Sequence, residues 1–154
     1  MKKYTLIILI AAGLIACTKD KKISQPSLST GDYFMIGNSP GFINVMTYNY
    51  YKIQGNYIYK ADTLINGQYI FSSTPLSNDK FLIAKPAMDS LPQYLISNPN
   101  QSFGNPNYAD QGLYYIEMNR NNIKTHWILD PTSTTTPTAV QNYIQQLSNI
   151  ISQL

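Results

Sequence analysis

Over residues 32–74 short β-prone runs alternate with clusters of turn formers. Residues 33–36 (YFMI) are stopped by Gly37-Asn38-Ser39-Pro40-Gly41, a density of breakers that ends a strand. Residues 42–53 form a long run rich in Tyr, Ile and Val. Gln54-Gly55-Asn56 then predicts a tight hairpin turn in which glycine supplies the positive φ. Residues 57–61 return, and Asn66-Gly67 predicts a second turn before Gln68-Tyr69-Ile70-Phe71.

The period changes after residue 74. Pro75 to Lys80 leads into a helix with Ser77 or Asn78 as its N-cap, and Phe81, Leu82, Ala84 and Met88 supply a buried stripe. Pro86 inside this run predicts an end or kink near Lys85. Residues 91–96 predict a second, short helical turn, and residues 98–112 read as loop. Residues 113–118 and 123–129 predict a hairpin across Asn119-Arg120-Asn121-Asn122. In its second strand Ile123, Thr125, Trp127 and Leu129 share one face, and Lys124, His126 and Ile128 the other. After the linker Asp130 to Pro137 a final helix begins, with Thr136 as cap and Pro137 at its first position. Val140, Tyr143 or Ile144, Leu147, Ile150 or Ile151 and Leu154 recur at helical spacing opposite Gln141, Gln145, Gln146 and Asn149. The fold class expected is α+β: a mostly antiparallel β-sheet packed against a C-terminal α-helix, with one or two short helices mid-chain.

The first residues follow a different pattern. Lys2 and Lys3 precede a twelve-residue apolar run, TLIILIAAGLIA. That is too short for a helix rising ~1.5 Å per residue to cross a ~30 Å hydrocarbon core, but it suits a signal-peptide core. It ends in Leu14-Ile15-Ala16-Cys17, which resembles the bacterial lipobox. The expectation is a signal peptide over 1–16, a lipidated Cys17 with a flexible tether over 17–30, and one α+β domain over 31–154. Two or three acyl chains on Cys17, at ~0.8 kcal/mol per buried CH2, would fix the protein to a membrane it does not span. The polar and charged residues after the cysteine, Thr18-Lys19-Asp20, favour the outer membrane of the cell envelope.

Charge refines this division. The chain carries a net +3, yet residues 31–154 hold six basic and seven acidic side chains and so carry −1. The basic balance belongs to the targeting segment. A nucleic-acid partner, which needs a basic face to displace counterions, is excluded. Charged residues make up 12%, and polarity comes instead from 13 Tyr, 15 Asn and 10 Gln. A charged disordered tail and a coiled coil are excluded on the same grounds.

Little of this composition supports catalysis. Cys17 is the single cysteine and His126 the single histidine, so a disulfide framework is impossible and a Cys/His zinc cage nearly so. His126 lies mid-strand and no G-x-S-x-G motif is present, so a nucleophile triad has no support. Glu117 and Asp110, seven residues apart across a loop and strand, are the carboxylates that glycan hydrolysis would use. No catalytic residue, metal ligand or cofactor is assigned. Tyr48, Tyr50, Tyr51, Tyr57, Tyr59, Tyr69, Tyr114 and Tyr115 all fall on predicted strands. A phenol joins apolar area to a hydrogen-bonding tip, which suits a peptide or sugar, although strands favour Tyr in any case.

Two resemblances add to this. Pro75-Leu76-Ser77, Leu82-Ile83-Ala84-Lys85, Phe103-Gly104, Ala109-Asp110-Gln111-Gly112 and Trp127-Ile128-Leu129-Asp130 resemble a family of small, uncharacterised bacterial lipoproteins, over a frame of about residues 31–154. Members carry two cysteines in the loop before the Asp-Gln-Gly, where this chain has Asn105 and Tyr108 in an uncharged stretch without cysteine, so no disulfide or metal role transfers. The resemblance implies a frame and no activity. The layout of Pro106, Asp110, Tyr114 and Pro137 is similar to protease inhibitors of the emfourin type. The expectation is a non-enzymatic, lipid-anchored envelope protein that binds an extracellular peptide or glycan or plays a structural part. Asp110, Gln111, Tyr114 and Trp127 are its candidate ligand residues. Protease inhibition and glycan hydrolysis are the alternatives.

Overall fold

The computed structural model describes residues 31–39, 49–105 and 112–154. They have the expected α+β fold. In chain order the elements are β1 (Tyr33–Ser39), β2 (Asn49–Gln54), β3 (Tyr57–Ile65), β4 (Gln68–Phe71), α1 (Asn78–Asp89), α2 (Gln93–Ser97), β5 (Gln101–Phe103), β6 (Leu113–Arg120), β7 (Ile123–Leu129) and α3 (Thr138–Ile151). One seven-stranded sheet runs in the order β4-β3-β2-β1-β6-β7-β5. All pairs are antiparallel except β5 with β7.

The hairpins follow from their turn residues. Gly55 has φ +58°, as the first position of a type II′ turn requires. Asn66-Gly67 and Asn121-Asn122 have positive φ at both positions, the type I′ signature. The last turn is two residues long, not four, and β6 therefore reaches Arg120. The amide N–H of Asn121 donates to Asp32 Oδ1 at 2.8 Å, which ties this turn to the start of β1.

The described helices lie on one face of the sheet. Phe34 and Ile36 of β1, Ile53 of β2, Ile58 of β3, Ile116 of β6 and Trp127 and Leu129 of β7 pack against α1, α2 and α3. On α3 the buried residues are Val140, Tyr143, Ile144, Leu147, Ile150 and Ile151, the stripe that the spacing predicts. Each fully buried large side chain contributes ~1.5–3 kcal/mol gross, so α3 belongs to the core. The Tyr143 hydroxyl donates to the Ala87 carbonyl at 2.6 Å and crosslinks α3 to α1.

Four local expectations are corrected. Helix α1 does not end near Lys85 but runs through Pro86 to Asp89. Pro86 and Leu82 are both exposed, so the Leu82 carbonyl that loses its partner faces water. Leu82 is 56% exposed, and Ala87 takes its place in the buried stripe with Phe81, Ala84 and Met88. Helix α3 starts one residue late: Pro137 is its N-cap, without a side-chain cap, and Thr136 is buried. The stretch read as loop from residue 98 holds β5, paired to β7 through Gln101↔Trp127 and Phe103↔Leu129.

Candidate functional site

The second face of the sheet carries no helix among the described residues. Strand alternation, which sends Phe34 and Ile36 inward, sends Tyr33, Met35 and Gly37 to this face. Register adds Tyr50 opposite Gly37 and Lys52 opposite Met35 from β2. From β6 it adds Tyr115 opposite Gly37 and Glu117 opposite Met35. His126 on β7 lies opposite Glu117. One transverse row therefore reads Tyr59, Lys52, Met35, Glu117, His126 across five strands.

A bulge gives the face its depth. The β3–β4 register shifts between Ala61 and Thr63, and a bulge bends its strand and increases the local twist. The β3–β4 hairpin leans over the sheet, so that Tyr69 of β4 stacks on Tyr50 of the non-adjacent β2 with centroids 3.9 Å apart. The result is an open trough of about 340 Å³. Tyr33, Met35, Tyr115 and Glu117 form its floor, and Gly67, Gln68, Tyr69 and Phe71 form one wall. This lies at the small end of the ~300–1,000 Å³ range of ligand pockets.

Glu117 is the polar centre. The Tyr33 hydroxyl donates to its Oε1, and the Tyr115 hydroxyl donates to its Oε2 at 2.7 Å. One donor comes from the neighbouring strand and one from two residues back on the same strand and face. The carboxylate is held by two phenols and each oxygen keeps a further lone pair for a ligand. Burial, then the hydrogen bond to Glu117 and its negative charge, push both phenols well above the usual tyrosine range. Burial also raises Tyr50.

Two cations border the trough. Lys52 Nζ lies 4.9 Å from the centroid of Phe71 and 5.5 Å from that of Tyr59, and Lys124 Nζ lies 6.0 Å from that of Tyr33. Desolvation holds the Lys52 ammonium below the usual lysine range. Lys85–Asp89 on α1 is the ion pair among the described residues, so neither cation of the trough is matched there by a carboxylate.

Of the ligand candidates named from sequence, the two that are described, Trp127 and Tyr114, lie away from the trough. Trp127 is 1% exposed in the core, where its Nε1 donates to the carbonyls of Leu95 and Asn98, both at 2.9 Å. Tyr114 is half-buried on the helix-covered side. Cys17, Pro106, Asp110 and Gln111 lie outside the described residues. His126 is exposed, with its ring 6.2 Å from that of Tyr115. Asp130 is buried and anchors a loop: it accepts from Asn105 N at 3.0 Å and from Thr132 N and Oγ1, both at 2.8 Å. No group of His, Cys, Asp and Glu suited to a metal occurs among the described residues, and no described helix is long and apolar enough to cross a membrane.

The fold and face define an α+β domain with one side of its sheet given over to tyrosines. No family model, curated protein or solved structure matches the chain.

Proposed function

We propose that the protein is a non-enzymatic binding module of the bacterial cell envelope, held by lipid on Cys17, which takes an extracellular ligand on the tyrosine-lined face of its sheet. The observation that carries this reading is the trough itself. A single carboxylate is held by two phenols on the floor of an aromatic concavity that no described helix covers. Tyrosines supply large, stiff contact area at a small entropic cost, and their hydroxyls fix orientation. Glu117 sits opposite Met35 and His126, with no second carboxylate of the described residues beside it on this face, which favours binding over two-carboxylate hydrolysis. The lipobox-like Leu14-Ile15-Ala16-Cys17 supports the anchor, and the export-type residues after it support the outer membrane.

Two measurements test the reading. Fatty-acid labelling of cells expressing the full chain is expected to mark the wild type and spare Cys17→Ser; equal labelling would overturn the anchor. The detergent-solubilised full chain, presented to arrayed extracellular oligosaccharides and peptides, is expected to bind one class and to lose it on Tyr69→Ala. Binding that survives both Tyr69→Ala and Tyr33→Phe would move the site off this face.

A further inference from the structure

Building on the reading of this face as a ligand site, we infer that the trough is a subsite for an acidic sugar, with the sugar ring laid on the tyrosines and its carboxylate toward Lys52. Two features select a sugar over a peptide. Peptides that bind by strand addition do so at a sheet edge, through free backbone groups. This concavity lies on the face, over β1, β2 and β6, whose backbone groups are spent on their neighbours in the sheet. What the trough offers is ring area from Tyr69 and Phe71, the Gln68 amide and the Glu117 carboxylate. That set matches a ligand with C–H faces and many hydroxyl donors and acceptors.

The charge pattern selects an acidic sugar over a neutral one. Glu117 already accepts two phenolic hydrogen bonds, and its remaining lone pairs suit sugar hydroxyls. Lys52 holds its ammonium between two rings, and no carboxylate of the described residues lies at ion-pair distance from it. Lys124 adds a second positive charge at the Tyr33 end. Lys52 and Glu117 face β1 from opposite sides, opposite the same Met35, so about two strand spacings, ~10 Å, separate their backbones. A ligand carboxylate at Lys52 thus stands clear of Glu117. A part-buried ammonium without a counter-ion is the unmet demand of the site, and a charge-assisted hydrogen bond satisfies it.

The test uses the detergent-solubilised full chain and four probes: an oligosaccharide of uronic acid, the same oligosaccharide with its carboxyl groups reduced to alcohols, a neutral glucose oligomer, and an acidic peptide of equal charge. Titration calorimetry at fixed ionic strength reads the affinities. The uronic oligosaccharide is expected to bind, and carboxyl reduction to weaken it about tenfold or more, the worth of a charge-assisted hydrogen bond. Lys52→Met is expected to erase that preference and Lys52→Arg to keep it, with thermal melts confirming that both fold. If the reduced and neutral sugars bind as tightly as the acidic one, and Lys52→Met changes nothing while Tyr69→Ala abolishes binding, the acidic assignment fails and the ligand face stands. If the acidic peptide binds in preference to every sugar, the ligand class is wrong. If none of the four binds the wild type, both this inference and the ligand-face reading fall.

Discussion

The ring of Tyr50 lies flat over Gly37 on the adjacent strand: a Cβ built at Gly37 would fall 2.3 Å from the Tyr50 ring. The missing side chain lets Tyr50 lie down and meet Tyr69, and so lets the β3–β4 hairpin close one wall of the trough.

Gly37→Ala is therefore expected to expel the Tyr50 ring. Overpacking of this kind costs ~1–3 kcal/mol, and here it also breaks the Tyr50–Tyr69 stack. Denaturant midpoints measure the loss, and near-ultraviolet circular dichroism should register the displaced tyrosines. Gly55→Ala is the contrast. No atom lies within 4 Å of its would-be Cβ, but its φ is +58°, so its cost of ~1 kcal/mol is purely backbone strain and leaves the tyrosine signal intact. An unchanged tyrosine spectrum in Gly37→Ala would show that the ring does not depend on that glycine.

Trp127 spans two structural duties. Its indole fills the core between sheet and helices, and its N–H satisfies the carbonyls of Leu95 and Asn98 at the end of α2. Trp127→Phe leaves both carbonyls without that donor and creates a void. The expected cost is ~2–4 kcal/mol. The wild-type emission should be blue-shifted, as befits an indole 1% exposed, and should move to the red on unfolding. Red-shifted emission from the native protein would contradict its burial.

Asp130 gives the fold an acid-sensitive point. Burial works against its charge, but N–H donors from Asn105, Thr132 and Ser133 and the Thr132 hydroxyl outweigh that and hold its carboxyl below the usual range. With a depressed folded value, the stabilisation is complete above the unfolded pKa near ~4 and drains away as pH falls through the folded value. Asn cannot replace it. The Asn105 and Thr132 N–H groups approach different carboxylate oxygens, and an amide offers only one acceptor. Asp130→Asn is expected to cost ~1–3 kcal/mol at neutral pH. Its deficit against wild type should shrink as the pH falls well below ~4. A deficit independent of pH would mean that the charge contributes nothing.

The parts of the fold legible in sequence are those fixed locally. The stripe from Val140 to Ile151 and the turn residues Asn66-Gly67 need only their own neighbours, so pattern and φ preference specify them. Pro86 and β5 are different. Helix α1 survives its proline because Leu82 faces water, and β5 exists because β7 presents an edge; tertiary placement decides both. The site divides in the same way. Tyr115 and Glu117 share a face by alternation, a signal present in the sequence, and Tyr50 and Tyr51 must point to opposite sides. Tyr33 and Lys52 reach the trough through the register of β1 with β6 and β2, which no local pattern encodes. Trp127 is a candidate ligand residue by sequence, but the alternation that pairs it with Leu129 already assigns it to the core.

The phenols around Glu117 predict an alkaline limit. Ionising Tyr33 or Tyr115 would strip a donor from Glu117 and set a phenolate against a carboxylate, while burial opposes the charge more strongly still. Both groups are raised above their unfolded value of ~10, so their contribution is complete below that pH and falls as the pH rises toward the folded values. A spectrophotometric titration of the phenolate band should therefore show a delayed fraction that ionises together with unfolding. Tyr33→Phe and Tyr115→Phe should each remove one residue from it. Glu117→Gln removes the carboxylate charge but not the burial, and should bring the delayed step to lower pH without abolishing it. A titration unchanged in Glu117→Gln would mean that the two phenols do not share that carboxylate, and the polar centre of the trough would have to be sought elsewhere on the face.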